Sequence, residues 1–134
     1  MYDVNPDFVD LGLGGFLADR QDYEEYAEDN DGKQKVPTLR NVDKRPDEDF
    51  VKSFAHNGYF KSLEEIVHFY NTRDILPTCM EGDGLVEKVD CWPPPEVAEN
   101  VNTSELGNLH LTESQEAFLV AFMKTLSDGW TPSP

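Results

Sequence analysis

The chain has 134 residues, 38% of them apolar, and its 27 acidic residues against 11 basic ones give a formal net charge of −16. This length and apolar content fit one small domain or, as we expect, a piece of a larger protein. The charge argues against nucleic acid and anionic membranes as partners, because phosphate groups bind basic surfaces. It favours a basic protein partner or a merely solvated acidic face. No run of about eighteen apolar residues occurs, so we expect no membrane insertion.

Residues 1–34 form a lead-in that is first rich in glycine and then acidic. Its glycines, in the segment VDLGLGGFL, mark turns or a close approach of the backbone, and their spacing does not fit a nucleotide-binding loop. The acidic stretch from Asp19 to Asp31 predicts an exposed helical turn or a loop. The first residues lack the basic and apolar regions of a secretion signal, so export information lies elsewhere or the numbering begins inside a precursor.

The stretch from residue 35 to residue 71 is the most specific part of the chain. Ser62 and Glu65 have the spacing of a capping box, which predicts a helix that begins at Leu63. Apolar residues recur there at steps of three and four and share one face, which must cover an apolar neighbour: Leu63, Ile66, Val67 and Tyr70. The opposite face is polar and includes His68, which we expect at the surface.

Two turns precede this helix. Pro37 sets the first turn, and Arg40, which follows it, is expected to pair with a carboxylate. Two apolar residues beside this turn are expected to be buried anchors: Leu39 and Val42. The second turn, at Asn57 and Gly58, reverses the chain sharply and is expected to aim His56 inward.

Residues 72–111 are rich in Pro, Gly, Asp and Asn and should be irregular. Cys79 and Cys91, the only cysteines of the sequence, bracket a short loop in this region. With no further thiol and no CxxC motif, a disulfide is their natural product rather than a metal cluster. Such a bond would stabilise the fold by about 3 kcal/mol and predicts an oxidising compartment.

Residues 112–130 predict the last helix. Thr112 and Gln115 form a second capping box, and Ser127, Asp128 and Gly129 supply the stop at the C-terminal end. The apolar stripe of this helix is expected to be ordinary core: Phe118, Leu119, Phe122, Met123 and Leu126. The sequence has no internal repeat and no strand pattern, so we expect a mostly α-helical fold with long irregular loops.

Four motifs together resemble the C-terminal part of the bacterial dihaem cytochrome c peroxidases and of MauG. They are PTLRN from Pro37, HNG from His56, SLEE from Ser62 and, near the end of the chain, LVAFMKTLSDG. The resemblance implies that residues 1–134 are part of one c-type cytochrome domain in the periplasm. The attachment motif CxxCH is missing, so haem c would be attached through a segment or chain outside this sequence. Without that segment, the stripe from Leu63 to Tyr70 is expected to face solvent.

The resemblance also assigns residues to a haem pocket. Aligned on the family's helix, Tyr70 takes the position of the axial iron ligand, where a phenolate favours ferric iron and MauG-like chemistry. On periodicity alone, Tyr70 would instead be a core aromatic. His56 would line the pocket and handle the protons of peroxide, and Arg40 would bind a haem propionate or a structural carboxylate. Pro37 belongs to the same pocket motif, and Met80 is a fallback ligand.

The family also carries a calcium ion, bound partly by backbone carbonyls three and five residues before the HNG histidine. In this sequence those positions are Ser53 and Val51, and the stretch from Lys44 to Lys52 has the character of an insertion relative to the family. Backbone ligands do not depend on side-chain identity, so calcium is retained as a candidate second cofactor.

Three functions remain open at this point. The chain is the haem-binding part of a peroxidase-like or oxidase-like enzyme, an electron-transfer cytochrome module, or a haem-free structural subunit. The resemblance implies two partners, which are a CxxCH-bearing segment or chain and a small basic electron-donor protein.

Overall fold

The computed structural model describes residues 8–79 and 90–129. Three helices occur in this part of the chain: α1 Gly12–Ala18, α2 Leu63–Thr72 and α3 Glu113–Lys124. Two short 3-10 turns, Glu24–Tyr26 and Glu28–Asn30, follow α1. The described residues contain no strand, only isolated bridges between Phe54 and Phe60 and between Thr78 and Trp92. The predicted helical class with long irregular loops is therefore confirmed for these residues.

The chain divides into two compact units. The first lies within residues 1–36 and 93–102, and the second lies within residues 37–92 and 103–134. All of the buried apolar side chains in the described residues belong to the second unit: Phe54, Phe60, Leu63, Val67, Trp92 and Val120. The hydrophobic core therefore belongs to the second unit.

The first unit is held together by its backbone rather than by an apolar core. The Leu13 N–H donates to the Lys33 carbonyl at 2.9 Å, and the Gly32 N–H donates to the Leu11 carbonyl at 3.0 Å. A Cβ atom on Gly14 would lie 2.1 Å from Asp31 Oδ1, so only glycine fits there. The expected close approach of the backbone is confirmed, although the glycines lie in a helix and not in a turn. The acidic stretch forms the expected exposed helical turns.

Helix α2 begins at Leu63, as its capping box predicted. The Glu65 N–H donates to Ser62 Oγ at 3.1 Å, and the Ser62 N–H donates to Glu65 Oε2 at 3.2 Å. Leu63 and Val67 are 1% and 7% exposed and pack in the core. The expectation that this stripe faces solvent without a CxxCH-bearing segment is therefore wrong, because residues of the same chain cover it.

Helix α3 reverses the expected pattern of burial. Its capping box is present, with the Gln115 N–H donating to Thr112 Oγ1 at 3.4 Å and the Thr112 N–H donating to Gln115 Oε1 at 2.8 Å. Val120 is buried and Met123 packs against the core. Three residues of the predicted core stripe are instead exposed by 72%, 43% and 57%: Phe118, Leu119 and Phe122.

The reason for this reversal is the side of α3 that meets α2. Glu116, Val120 and Met123 follow one another at steps of four and three, so they share one face, and that face packs against α2 and its core. Phe118 and Phe122 lie on the opposite face. Both faces carry apolar residues, and periodicity did not distinguish them.

The predicted disulfide between Cys79 and Cys91 is present, with their Cα atoms 4.9 Å apart. It lies beside Trp92, which is 2% exposed and meets Phe69 edge to face with ring centres 5.1 Å apart. The Cys79 N–H donates to the Trp92 carbonyl at 2.9 Å, and the indole N–H donates to Thr72 Oγ1 at 3.1 Å. The disulfide thus closes the segment that brings Trp92 onto α2.

Candidate functional site

The HNG motif lies at the tip of a closed loop. The Phe54 N–H donates to the Phe60 carbonyl at 2.8 Å, and Gly58, at φ +69°, makes the predicted turn. His56 is exposed, so the expected inward orientation is wrong. The reason is that burial of Phe54 and Phe60 closes the base of the loop and leaves its tip at the surface. Ala55, at φ +66°, is in the left-handed region just before His56, which is uncommon for a residue with a Cβ.

Tyr70 is half-buried near the C-terminal end of α2. Its carbonyl accepts a hydrogen bond from the Gly107 N–H at 2.6 Å. Gly107 is buried at φ +101°, and a Cβ atom there would lie 2.2 Å from Asp74 Oδ2. A side chain at residue 107 would therefore displace the loop that fixes the backbone of Tyr70. The assignment of Tyr70 as an iron ligand stays a prediction.

Arg40 forms the structural pair that was one of its two expected roles. Its Nε donates to Asp128 Oδ2 at 2.7 Å, and Lys44 Nζ lies 3.4 Å from the other oxygen of that carboxylate. The Arg40 side chain is 70% exposed, so solvent still reaches the guanidinium. The neighbouring Asn41, at φ +60°, ties this segment to the end of α3, since its N–H donates to the Leu126 carbonyl at 3.0 Å.

Two other residues of the PTLRN motif lie at the surface. Pro37 is exposed, and Leu39 is 44% exposed, so Leu39 is not the buried anchor that was expected. Val42 does pack against the core and is partly buried. The motif is thus anchored through Val42 and Asn41, which leaves Leu39 outside the core.

The candidate calcium position suits a cation poorly. Val51 and Ser53 are exposed, and Lys61 Nζ donates to Ser53 Oγ at 2.9 Å, which places a positive charge beside the proposed ligands. Among the residues that the structure describes, no cluster of three or more His, Cys, Asp or Glu side chains could hold a metal ion. Met80, the fallback iron ligand, lies outside the described residues.

Sequence reasoning missed a polar network between α2 and α3. Asn71 is 5% exposed, and its Nδ2 donates to the Leu111 carbonyl at 3.0 Å and to Glu116 Oε1 at 2.6 Å. The Leu111 N–H donates in return to Asn71 Oδ1 at 3.0 Å. His68 Nδ1 lies 3.1 Å from the same Glu116 oxygen, so His68 is not the simple surface residue that was expected. The only signal in the sequence was an Asn one turn beyond Val67, on the apolar side of α2.

Two carboxylates near this network have lowered pKa values. Burial is the largest single influence on the pKa of Glu64 and raises it. The hydrogen bond from Lys124 on α3, at 2.9 Å, a backbone hydrogen bond and the charge of Lys124 together outweigh burial, so the pKa is lowered overall. A hydrogen bond from Arg73 lowers the pKa of Asp74 against a smaller opposing effect of burial. Glu64 and Lys124 thus add a surface ion pair to the contacts between α2 and α3.

The exposed side of α3 is the largest feature that the fold leaves unexplained. We call Phe118, Leu119 and Phe122 the α3 apolar face. Exposed aromatic and aliphatic side chains on one helix face usually mark a site that binds a ligand or another protein. In the described structure, this face belongs to the same unit as Tyr70, Arg40 and His56.

Comparisons with protein-family models, with curated proteins and with solved structures found no match to this chain. None of the helices in residues 8–79 and 90–129 has the length and apolar character that crossing a membrane requires. The fold and site define a small helical protein with one disulfide and an exposed apolar helix face.

Proposed function

We propose that this chain supplies one wall and the axial ligand of a c-type haem pocket within a dihaem peroxidase-like or MauG-like oxidoreductase. The haem c would be attached through a CxxCH-bearing segment or chain outside this sequence. Tyr70 carries the proposal, because it lies half-buried near the C-terminal end of α2, at the position that the family resemblance assigns to the iron ligand.

The residues of the second unit suit this role by their chemistry. Tyr70 offers a phenolic oxygen, a ligand that favours ferric iron. The exposed Arg40 guanidinium suits a propionate, and its bond to Asp128 holds it in one orientation. His56 is at the surface, where it would take up or donate a proton of peroxide. When bound, haem supplies the oxidation–reduction chemistry that the side chains lack.

The disulfide supports an oxidising compartment, which for this proposal is the bacterial periplasm. Calcium is not part of the proposal, because Lys61 donates to the Ser53 side chain at one of the two candidate ligand residues. An electron-transfer module and a haem-free structural subunit are the alternatives, and the following experiment separates them.

The test is the visible spectrum of the native assembly that contains this chain. A Soret band with a ferric, tyrosine-ligated spectrum is the result we expect. A low-spin histidine/methionine spectrum would favour the electron-transfer module instead. An intact assembly without visible absorbance would favour the haem-free structural subunit and overturn the proposal.

Substitution of Tyr70 by Phe tests the ligand within the same assembly. The ring and its packing remain, but the oxygen is lost, so the spectrum should change and the reduction potential should rise. Tyr59→Phe is the matched control, because Tyr59 is another partly buried tyrosine of this unit, packed against the core. If Tyr70→Phe behaves like Tyr59→Phe, Tyr70 is a core aromatic and not the ligand.

A further inference from the structure

The first unit carries exposed aromatic side chains that no described core covers. Phe16, Tyr23 and Tyr26 are 53%, 52% and 52% exposed. Phe16 lies on α1. Tyr26 ends the 3-10 turn Glu24–Tyr26, which contacts α1, and Tyr23 directly precedes that turn. Exposed aromatic side chains of this kind are common anchors of protein interfaces.

The surroundings of these rings are strongly acidic. Residues 19–31 contain seven acidic side chains and one basic one, Arg20. Beside the aromatic residues, a shallow depression is lined by Gln21, Asp22, Glu24 and Glu25. The surface formed by residues 16–26, here called the acidic aromatic surface, thus presents exposed aromatic rings and carboxylates in one short stretch of the chain.

The guanidinium group of Arg20 already lies over one of these rings. The Arg20 guanidinium carbon lies 3.4 Å from the centre of the Phe16 ring, and Arg20 Nη1 donates to the Phe16 carbonyl at 2.8 Å. Ring faces attract guanidinium and ammonium groups, and carboxylates nearby add to that attraction. The same chemistry on Tyr23 and Tyr26 would accept lysine or arginine side chains of another molecule.

We propose that the acidic aromatic surface binds a basic segment of a partner protein. The partner presents lysine or arginine side chains to the carboxylates of residues 19–31 and apolar side chains to the tyrosines. Charge complementarity selects this occupant, because the carboxylates of residues 19–31 would repel an acidic or anionic partner. An uncharged partner would leave these carboxylates without a charged counterpart. The proposal is independent of the haem pocket, since it rests on the first unit alone.

The test uses the full chain and a fluorescent peptide of alternating lysine and leucine, with binding followed by anisotropy. A peptide of alternating glutamate and leucine is the first control and should not bind. Tyr23→Ser combined with Tyr26→Ser should weaken binding at least about tenfold, as loss of two interface anchors does. Phe50→Ser with Ile75→Ser removes two exposed apolar residues from the second unit, outside any proposed site, and should leave the affinity unchanged.

A second pair of variants separates a local surface from net charge. Glu24→Gln with Glu25→Gln and Asp47→Asn with Glu48→Gln change the net charge equally, and Asp47 and Glu48 are exposed residues of the second unit. The first pair should weaken binding severalfold more than the second. Equal losses from the two charge pairs, or from the tyrosine pair and the Phe50/Ile75 pair, would overturn the proposal. Failure of the wild-type chain to bind the peptide would also overturn it. Circular dichroism of each variant checks the fold.

Discussion

Helices α2 and α3 have the same kind of N-terminal cap but differ in how far their apolar side chains are buried. Both start at a capping box, and both carry an apolar stripe. The stripe of α2 is the centre of the core, whereas most of the stripe of α3 is exposed. A capping box and a periodic stripe therefore define a helix, but they do not define its buried face. We expect four changes, ordered here by decreasing size of effect, to test this contrast.

The largest effect is expected from the same truncation made in each helix. Leu63→Ala in α2 should cost about 4 kcal/mol of the free energy of unfolding, because Leu63 is 1% exposed and truncation leaves a cavity. Leu119→Ala in α3 should cost less than about 1 kcal/mol, because Leu119 is 43% exposed. Urea unfolding of both variants measures the difference. Equal costs would show that the isolated chain buries the α3 apolar face in solution.

The second largest effect is expected from the disulfide, which stabilises the core around α2. Replacing Cys79 and Cys91 by Ser should lower the free energy of unfolding by about 3 kcal/mol, since the bond restricts the unfolded chain and closes the segment that places Trp92 on α2. Reductant should destabilise the wild type and leave the double variant unchanged. Thiol titration under denaturing, non-reducing conditions should find no free thiol, and two reactive thiols would refute the bond.

The third largest effect is expected from the hydrogen bonds of Asn71, which link α2 to α3. Asn71→Ala removes the hydrogen bonds to Leu111 and Glu116 from a buried position, and we expect a loss of about 2 kcal/mol. The exposed Asn108 provides the control, since Asn108→Ala should be nearly neutral. A double-mutant cycle of Asn71→Ala with Glu116→Gln should show coupling, and strict additivity would mean that the network does not join the helices.

The smallest effect concerns the surface ion pair of the two helices. The pKa of Glu64 in the folded chain is below its ordinary value of 4.5, so its contribution to stability is present above that pH and is lost as the pH falls through the folded pKa. Lys124→Gln should remove less than about 0.5 kcal/mol at neutral pH, because both side chains are largely exposed and the pair is screened. Lys35→Gln, which changes the charge equally, is the control. A Lys124→Gln effect that persists below the folded pKa of Glu64 would argue against the pair.

Some features of the chain followed from the sequence because their causes are local. Ser62 with Glu65 and Thr112 with Gln115 satisfy backbone N–H groups within one turn, so the spacing alone predicted where α2 and α3 begin. The turn at Gly58 was predicted for the same reason, and the disulfide was predicted because the sequence offers only two cysteines. The orientation of His56 was not predicted correctly, because it depends on Phe54 and Phe60, which close the loop from both sides.

Sequence patterns were enough to predict the helical class, the starts of α2 and α3, the disulfide and the acidic charge of the surface. The folded structure was needed to show that Val120 and Met123, rather than Phe118 and Phe122, face the core. It also decided that Asn71 is buried between the two helices and that Arg40 pairs with Asp128. The physical reason is that these choices depend on which distant residues arrive beside each side chain, whereas a cap or a turn is satisfied by neighbours along the chain.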